Sequence, residues 1–415
     1  MSDTSHEKLS AARLAWLVIA PFFFGYFVSY LFRAVNAVVA ADLVAEIHLS
    51  ASALGLVTAA YLIGFAGFQI PLGILLDRFG PRHVQAALFA LAAAGALLFS
   101  SAHNAVTLAL ARGLIGVGCA GGLMAGFKAV ADFSPPERRA LYNSFIMAAG
   151  GLGLLTAAVP ARMAADAFGW RGLFIGIAGL AALAAAGIFL AVPRRAQRGH
   201  AESPRDMLSG LKTVFSSPAF WRVAPLAALT SGSQIAVQTL WAGPWFMDVA
   251  GLDKAGAARM MSVLAVGFFT GTLLNGALAD RLGARGVPLD KVMLGFLLAY
   301  MAAQAIVISG YAGPGMAAVW FVIPMTGQAG ILAYPLLAAH FGARLAGRSN
   351  SGINLLVFAA AFLGQWLIGW VIDLSGSGAR PYPPSGYALG FGALLALQLL
   401  ALAWFVFSGR RGSRR

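Results

Sequence analysis

The residue of this chain best placed to do chemistry is an arginine inside an apolar run. Arg33 lies within residues 12–41, with hydrophobic side chains before and after it. Tyr26, Tyr30 and Arg33 recur at helical spacing, so a helix carries them on one face, with Ser29 and Asn36 adjoining. A guanidinium stays charged and holds its donors in a planar fork. Beside two tyrosines it suits a pair of oxygens on a carboxylate, a phosphate or a nitrate. Charge is costly inside a hydrocarbon layer, so an arginine kept there is a candidate ligand for substrate. The structural alternative is an arginine that snorkels or pairs with Asp42 or a backbone carbonyl.

Further polar residues in the second half of the chain are candidates for lining the same cavity. Gln234, Gln238, Trp241 and Trp245 form a polar-aromatic stripe at helical spacing, and Pro244 interrupts that helix. Gln328 and Tyr334 lie in a later run, and Asn354 and Gln365 in the one after it. For all of these the competing role is packing between helices. None of the fifteen acidic residues sits near the middle of an apolar run. No Ser/His/Asp set or acid pair is buried, which argues against an enzyme. The single Cys119 forms no intrachain disulfide, and no His or Met ladder suggests a metal. No cofactor is expected.

The elements that position these residues are helices in lipid. The chain is 60% hydrophobic and 11% charged, where a soluble protein carries about 25% charged residues. Apolar runs long enough to cross a hydrocarbon core of about 30 Å recur throughout. We read twelve: 12–41, 52–76, 84–101, 105–130, 142–162 and 172–192, then 221–248, 258–279, 292–309, 316–340, 352–373 and 387–407. The expected fold is all-α and membrane-spanning, with two pseudo-symmetric six-helix bundles over 1–192 and 221–415. A hydrophilic linker, 193–220, joins them and carries a short amphipathic helix near 206–215. The net charge of +14 is explained by basic loops on one side of the membrane, so nucleic acid is not an expected partner. About 22 of the 29 basic residues fall in alternate loops, which makes that side, and both termini, cytoplasmic.

One charged loop occurs twice. Gly73, Asp77, Arg78, Gly80 and Arg82 are matched in type and spacing by Gly276, Asp280, Arg281, Gly283 and Arg285, an offset of 276 − 73 = 203 residues. Each copy follows the second apolar run of its half, so the chain reads as a duplication. This loop resembles the loop motif of the major facilitator superfamily. Arg112, Gly116 and Gly118 are similar to that family's Arg-x-x-x-Gly-x-Gly pattern, and Gly169-Trp170-Arg171 is also typical of it. The resemblance covers the whole chain. It implies a monomeric carrier of a small molecule that works by alternating access in the bacterial inner membrane.

By family analogy Asp77 accepts from backbone N–H groups at the start of the eleventh helix, near Asn350. Arg78 and Arg82 are expected to pair with Asp132 and Glu137, completing a latch on the cytoplasmic face, with Asp280, Arg281 and Arg285 as its counterpart. Arg112 is expected to be structural or coupling, and Lys128 a snorkelling or pathway residue. The stretch 25–33 resembles the first helix of organophosphate/phosphate exchangers, whose second arginine has no counterpart in the seventh span here; a small or singly charged anion is therefore the expected substrate. A co-transported proton and an exchanged anion are both open as partners. Efflux of amphipathic compounds is the alternative transport reading, and a transporter-like sensor the alternative from another class.

Overall fold

A computed structural model describes residues 10–135, 138–194, 204–376 and 380–412. Among the described residues the chain is helical, with no strand. The helices that matter here are α1 (Ala20–Ile47), α2 (Ala51–Gly67), α3 (Gln69–Ser100), α4 (Ala105–Cys119), α5 (Gly122–Phe133), α6 (Arg139–Thr156) and α7 (Val159–Ala191). Helix α8 (Pro204–Phe215) is the linker helix. Helices α9 (Pro218–Ala236), α10 (Ala242–Asp248), α11 (Lys254–Ala284), α12 (Leu289–Ile308), α13 (Met316–Gly327), α14 (Ala333–Ser375) and α15 (Pro384–Gly412) follow.

Nine described segments are long and apolar enough to cross a membrane, and 51–67 and 141–156 are shorter apolar helices. With α9–α10, interrupted by a π turn, the count is consistent with twelve. The protein is thus an all-α, multi-pass membrane protein.

Local chemistry explains where these helices start and break. Ser50, Asn104 and Asp253 cap α2, α4 and α11, each side chain accepting from an N–H three residues on at 3.2, 2.9 and 2.7 Å, which satisfies a donor that a helix start leaves free. Helices α3, α7 and α14 each contain a break at a glycine with positive φ: Gly80 at 75°, Gly169 at 70° and Gly342 at 71°. Such a backbone is open to glycine at little cost. At the first break Pro81 restarts the helix, where its missing N–H is harmless. The second copy of the repeated loop departs from the first: Gly283 stays helical, and the chain turns later, at Gly286 (φ 81°).

Pro244 lies in α10, and the π turn Val237–Trp241 precedes it. A wider turn relieves the clash between a proline ring and the carbonyl one turn earlier.

Candidate functional site

Arg33 on α1 is surrounded by rings. Its guanidinium carbon lies 4.7 Å from the ring centre of Tyr30, 4.9 Å from that of Phe65 on α2 and 5.7 Å from that of Phe358 on α14. Phe65 and Phe358 also meet each other, 4.8 Å between centroids, so the cage joins helices from the two ends of the sequence. Each such cation–π contact is worth about 0.5–2 kcal/mol, yet a ring face leaves a guanidinium's in-plane donors in need of acceptors. Tyr26 and Tyr61 are the other neighbours that bear on its charge. The Arg33 side chain is partly exposed, while its Nε is buried without a hydrogen-bond partner.

Asp42, the acid that a structural arginine would have used, is engaged elsewhere. Its two oxygens accept from Arg162 and Lys254, each at 2.5 Å.

A second arginine holds the first in place. Arg112 on α4 is fully buried; its Nη1 donates to the Phe32 carbonyl at 3.0 Å, and its guanidinium lies 5.0 Å from the Tyr61 ring centre. It therefore ties α1, at the residue before Arg33, to α2 and α4. Gly116 makes this approach possible, since a Cβ there would lie 2.1 Å from the Tyr61 carbonyl oxygen. Nearby, Ser29 donates to the Cys119 carbonyl at 3.4 Å and Asn36 donates to the Thr58 hydroxyl at 3.2 Å.

The candidates from the second half divide into two groups. Tyr334 and Asn354, both partly exposed, are joined by a hydrogen bond of 3.0 Å across the break in α14, and Asn354 lies one turn from Phe358. Gln328 is half-buried. The others are inside the packing. Gln234 donates to Gln238 at 3.1 Å, and both are almost wholly buried. Trp241 donates to the Gln365 carbonyl at 3.0 Å, and the Gln365 amide donates to Thr239 at 2.8 Å. The expected cavity-lining place therefore does not hold for Asn36, Trp241 and Gln365. Each is 0% exposed and hydrogen-bonded to a neighbouring helix, because a polar group taken out of water in a bundle must find a partner.

The two faces of the bundle differ. At the face of the repeated loop, which we term the basic face, Asp77 accepts from Lys128 on α5 at 2.7 Å. The expected contact with the helix start near Asn350 is replaced by this one. Arg78 lies over Phe79 (5.2 Å) and Arg82 over Phe189 (5.0 Å). Neither forms an ion pair with Asp132 among the described residues, and Glu137 lies outside them. Asp280, Arg281 and Arg285 are exposed, with no ion pair among the described residues. A loop facing water has no need of the expected pairs, since hydrated charges gain little from meeting.

At the opposite face the helices close up. The N–H groups of Ala51 and Ser52, at the start of α2, donate to the Asp373 carboxylate at 2.9 and 2.8 Å. A Cβ on Gly369 would lie 2.4 Å from the Ala51 carbonyl oxygen, one on Gly55 2.6 Å from that of Gln365, and one on Gly243 2.2 Å from that of Ala37. Sequence reasoning missed Phe65, Phe358 and this use of Asp373. For Phe65 a signal existed, as it lies one helical turn beyond Tyr61. The first copy of the repeated loop thus sits at a helix break, and the Arg-x-x-x-Gly pattern at a helix contact.

A family model of the Major Facilitator Superfamily matches residues 22–365. The chain belongs to that superfamily. Among relatives of this superfamily member, the probable sulfoacetate transporter of Cupriavidus necator is 25% identical over 404 residues, covering 90% of each chain. The probable L-galactonate transporter of Escherichia coli is 24% identical over 377 residues, covering 86% of this chain and 82% of its own. Among solved structures, a bacterial homolog of the human lysosomal transporter Spinster, described as inward-facing and unoccupied, shares the fold. Its TM-score is 0.75 at 18% identity, covering 97% of this chain and 98% of its own.

Proposed function

We propose that this protein carries a small organic or inorganic anion across the bacterial inner membrane by alternating access, with Arg33 as the ligand of the anion. The observation that carries the reading is the guanidinium itself: ringed by Tyr30, Phe65 and Phe358, partly exposed, and with no carboxylate paired to it among the described residues. An oxyanion supplies what the rings cannot. Tyr26, Tyr30, Tyr334, Asn354 and Gln328 are the side chains we assign to the rest of the site, with Gln234 and Gln238 behind them. Sulfoacetate, which carries two charges, and L-galactonate, which carries one, are named for two relatives, and they support the anion class rather than a particular substrate.

The basic face is read as cytoplasmic, as its Lys and Arg content suggests. The closed opposite face, and an Asp77 paired with Lys128 rather than with a helix start, then correspond to a carrier open to the cytoplasm. In the other state Asp77 leaves Lys128 and caps the helix start near Asn350.

Transport by the purified protein in proteoliposomes tests this. Arg33→Ala is expected to abolish uptake of sulfoacetate or L-galactonate, whichever the wild type moves, while the protein still elutes as a folded species. Arg33→Lys, which keeps charge but not the fork, is expected to retain a small fraction. Uptake unchanged in Arg33→Ala sinks the reading.

A further inference from the structure

The second copy of the repeated loop does none of what the first does. In the first, Asp77 accepts from Lys128, and Arg78 and Arg82 lie over Phe79 and Phe189. In the second, Arg281 and Arg285 are exposed, with no ion pair and no ring contact among the described residues. Arg281 stands in the last turn of α11 and Arg285 at its cap, four residues apart and so on one face. Lys291, in the first turn of α12, is exposed at the same corner.

The opposing charge there is small. Asp290 faces Arg222 at 3.8 Å, which leaves Asp280 as the acid beside these cations. The end of α11 adds about half a negative charge. Three cations outweigh both, and the corner is net positive.

Arg281 also borders a groove of about 240 Å³, whose other walls are Leu274 and Leu278 of α11, Phe296 of α12 and Met325 of α13, with Asn275 among them. Asn275 donates to the Met325 carbonyl at 3.2 Å, and a Cβ on Gly271 would lie 2.3 Å from that same oxygen. Helices α11 and α13 are therefore sealed against each other, and the groove has a floor. Helix α12 packs against α11, α13, α14 and α15, all of the second half, so the groove lies on the outer surface of that half, where a membrane helix meets lipid. Leu274 and Leu278 are exposed there. From Arg281 to Leu274 is a distance of about 10 Å along the helix, from the end of a membrane span inward.

We propose that the second copy of the repeated loop is a binding site for an anionic phospholipid. The phosphate sits on Arg281, whose fork suits a pair of phosphate oxygens, with Arg285 and Lys291 around it. One acyl chain fills the groove between α11 and α12. Any lipid tail fits an apolar groove, so the preference for an anionic headgroup comes from the cations, as in other basic pockets between membrane helices. This site is independent of Arg33 and of the substrate.

The test uses the full-length protein in nanodiscs of neutral phosphatidylcholine. Each preparation is doped with one photoactivatable lipid carrying a diazirine on its acyl chain, either phosphatidylglycerol or phosphatidylcholine with the same chains. Cross-linked peptides are mapped by mass spectrometry. Residues 274–296 are expected to be labelled about fivefold more by phosphatidylglycerol than by phosphatidylcholine. Arg281→Gln is expected to bring the two lipids within twofold of each other. Arg78→Gln, at the matching position of the first copy, is expected to change labelling there less than twofold. Leu274→Trp fills the groove with the charges intact and is expected to lower labelling by both lipids.

Equal labelling by the two lipids, or an equal loss in Arg281→Gln and Arg78→Gln, reduces the corner to general attraction and overturns the site. Displacement by excess glycerophosphoglycerol, the headgroup without its chains, makes a soluble phosphate ester the occupant and overturns the lipid. Cross-links from this groove to a second copy of the chain in place of lipid also overturn it. Both arginines are exposed, so their variants are expected to elute as folded species.

Discussion

The two faces of this bundle use the same pair of helices in opposite ways. Helix α2 starts at the opposite face and leads toward the basic one, while the second segment of α14 runs the other way. At the opposite face the carboxylate that ends α14, Asp373, accepts both free amides at the start of α2. At the basic face Asp77, shortly after α2, pairs with Lys128 on α5 instead. A carboxylate at a helix start gains from free N–H groups and from the helix dipole. The chemistry is therefore available at both ends, and one end has it made while the other has it broken. Midway, Phe65 and Phe358 stay in contact at 4.8 Å beside Arg33.

At the opposite face glycines bring backbones together, and Asp42 of the first half accepts from Lys254 of the second, beside a cavity lined by His48, Asp248 and Arg380. The Lys128–Asp77 pair is 30% and 48% exposed, a setting in which an ion pair is worth about 0–1 kcal/mol. The closed end is thus held by shape and by partly buried charge together. At the basic face the Asp77–Lys128 pair joins two helices of the first half and is exposed enough to exchange.

The largest expected effect comes from breaking the shape. Gly369→Val places carbon against the Ala51 carbonyl, where even a Cβ would lie at 2.4 Å. It is expected to hold that face apart and to lower transport more than tenfold. Labelling of a cysteine at Ser52 by a membrane-impermeant maleimide, rising in the variant, is the check; unchanged labelling contradicts the role given to this contact.

Asp373→Asn removes the charge and leaves one acceptor. Charge-assisted bonds of this kind contribute about 1.5–3 kcal/mol, so the population open at that face is expected to rise about tenfold, read by the same labelling. Asp77→Asn has the smallest expected effect. It is expected to slow turnover a few-fold with KM within twofold, because the contact it weakens belongs to the other state. A large loss of substrate binding with normal turnover would count against the latch.

Much of the architecture was legible because its causes are local. Run length and apolar content announce a membrane helix wherever they occur, and the duplicated Gly, Asp-Arg, Gly, Arg spacing announced a repeat. Arg33 stood out for the same reason, as a charge amid apolar neighbours. The partners were harder. Arg78 and Arg82 rest on the rings of Phe79 and Phe189 rather than on Asp132, since rings also attract guanidinium. Gln365, Trp241 and Asn36 read as cavity residues because spacing reports a helix face but not what that face meets.

The sequence by itself determined that this is a helical membrane protein with internal duplication, a family signature and one arginine deep in its first helix. Those properties follow from composition and from spacing within a few turns. Only the tertiary structure decided what surrounds that arginine and which helix ends meet at the opposite face. The cage draws on Phe65 and Phe358, and the closure joins Asp373 to the start of α2. Such pairs lie far apart in the chain and meet only because packed helices bring them together.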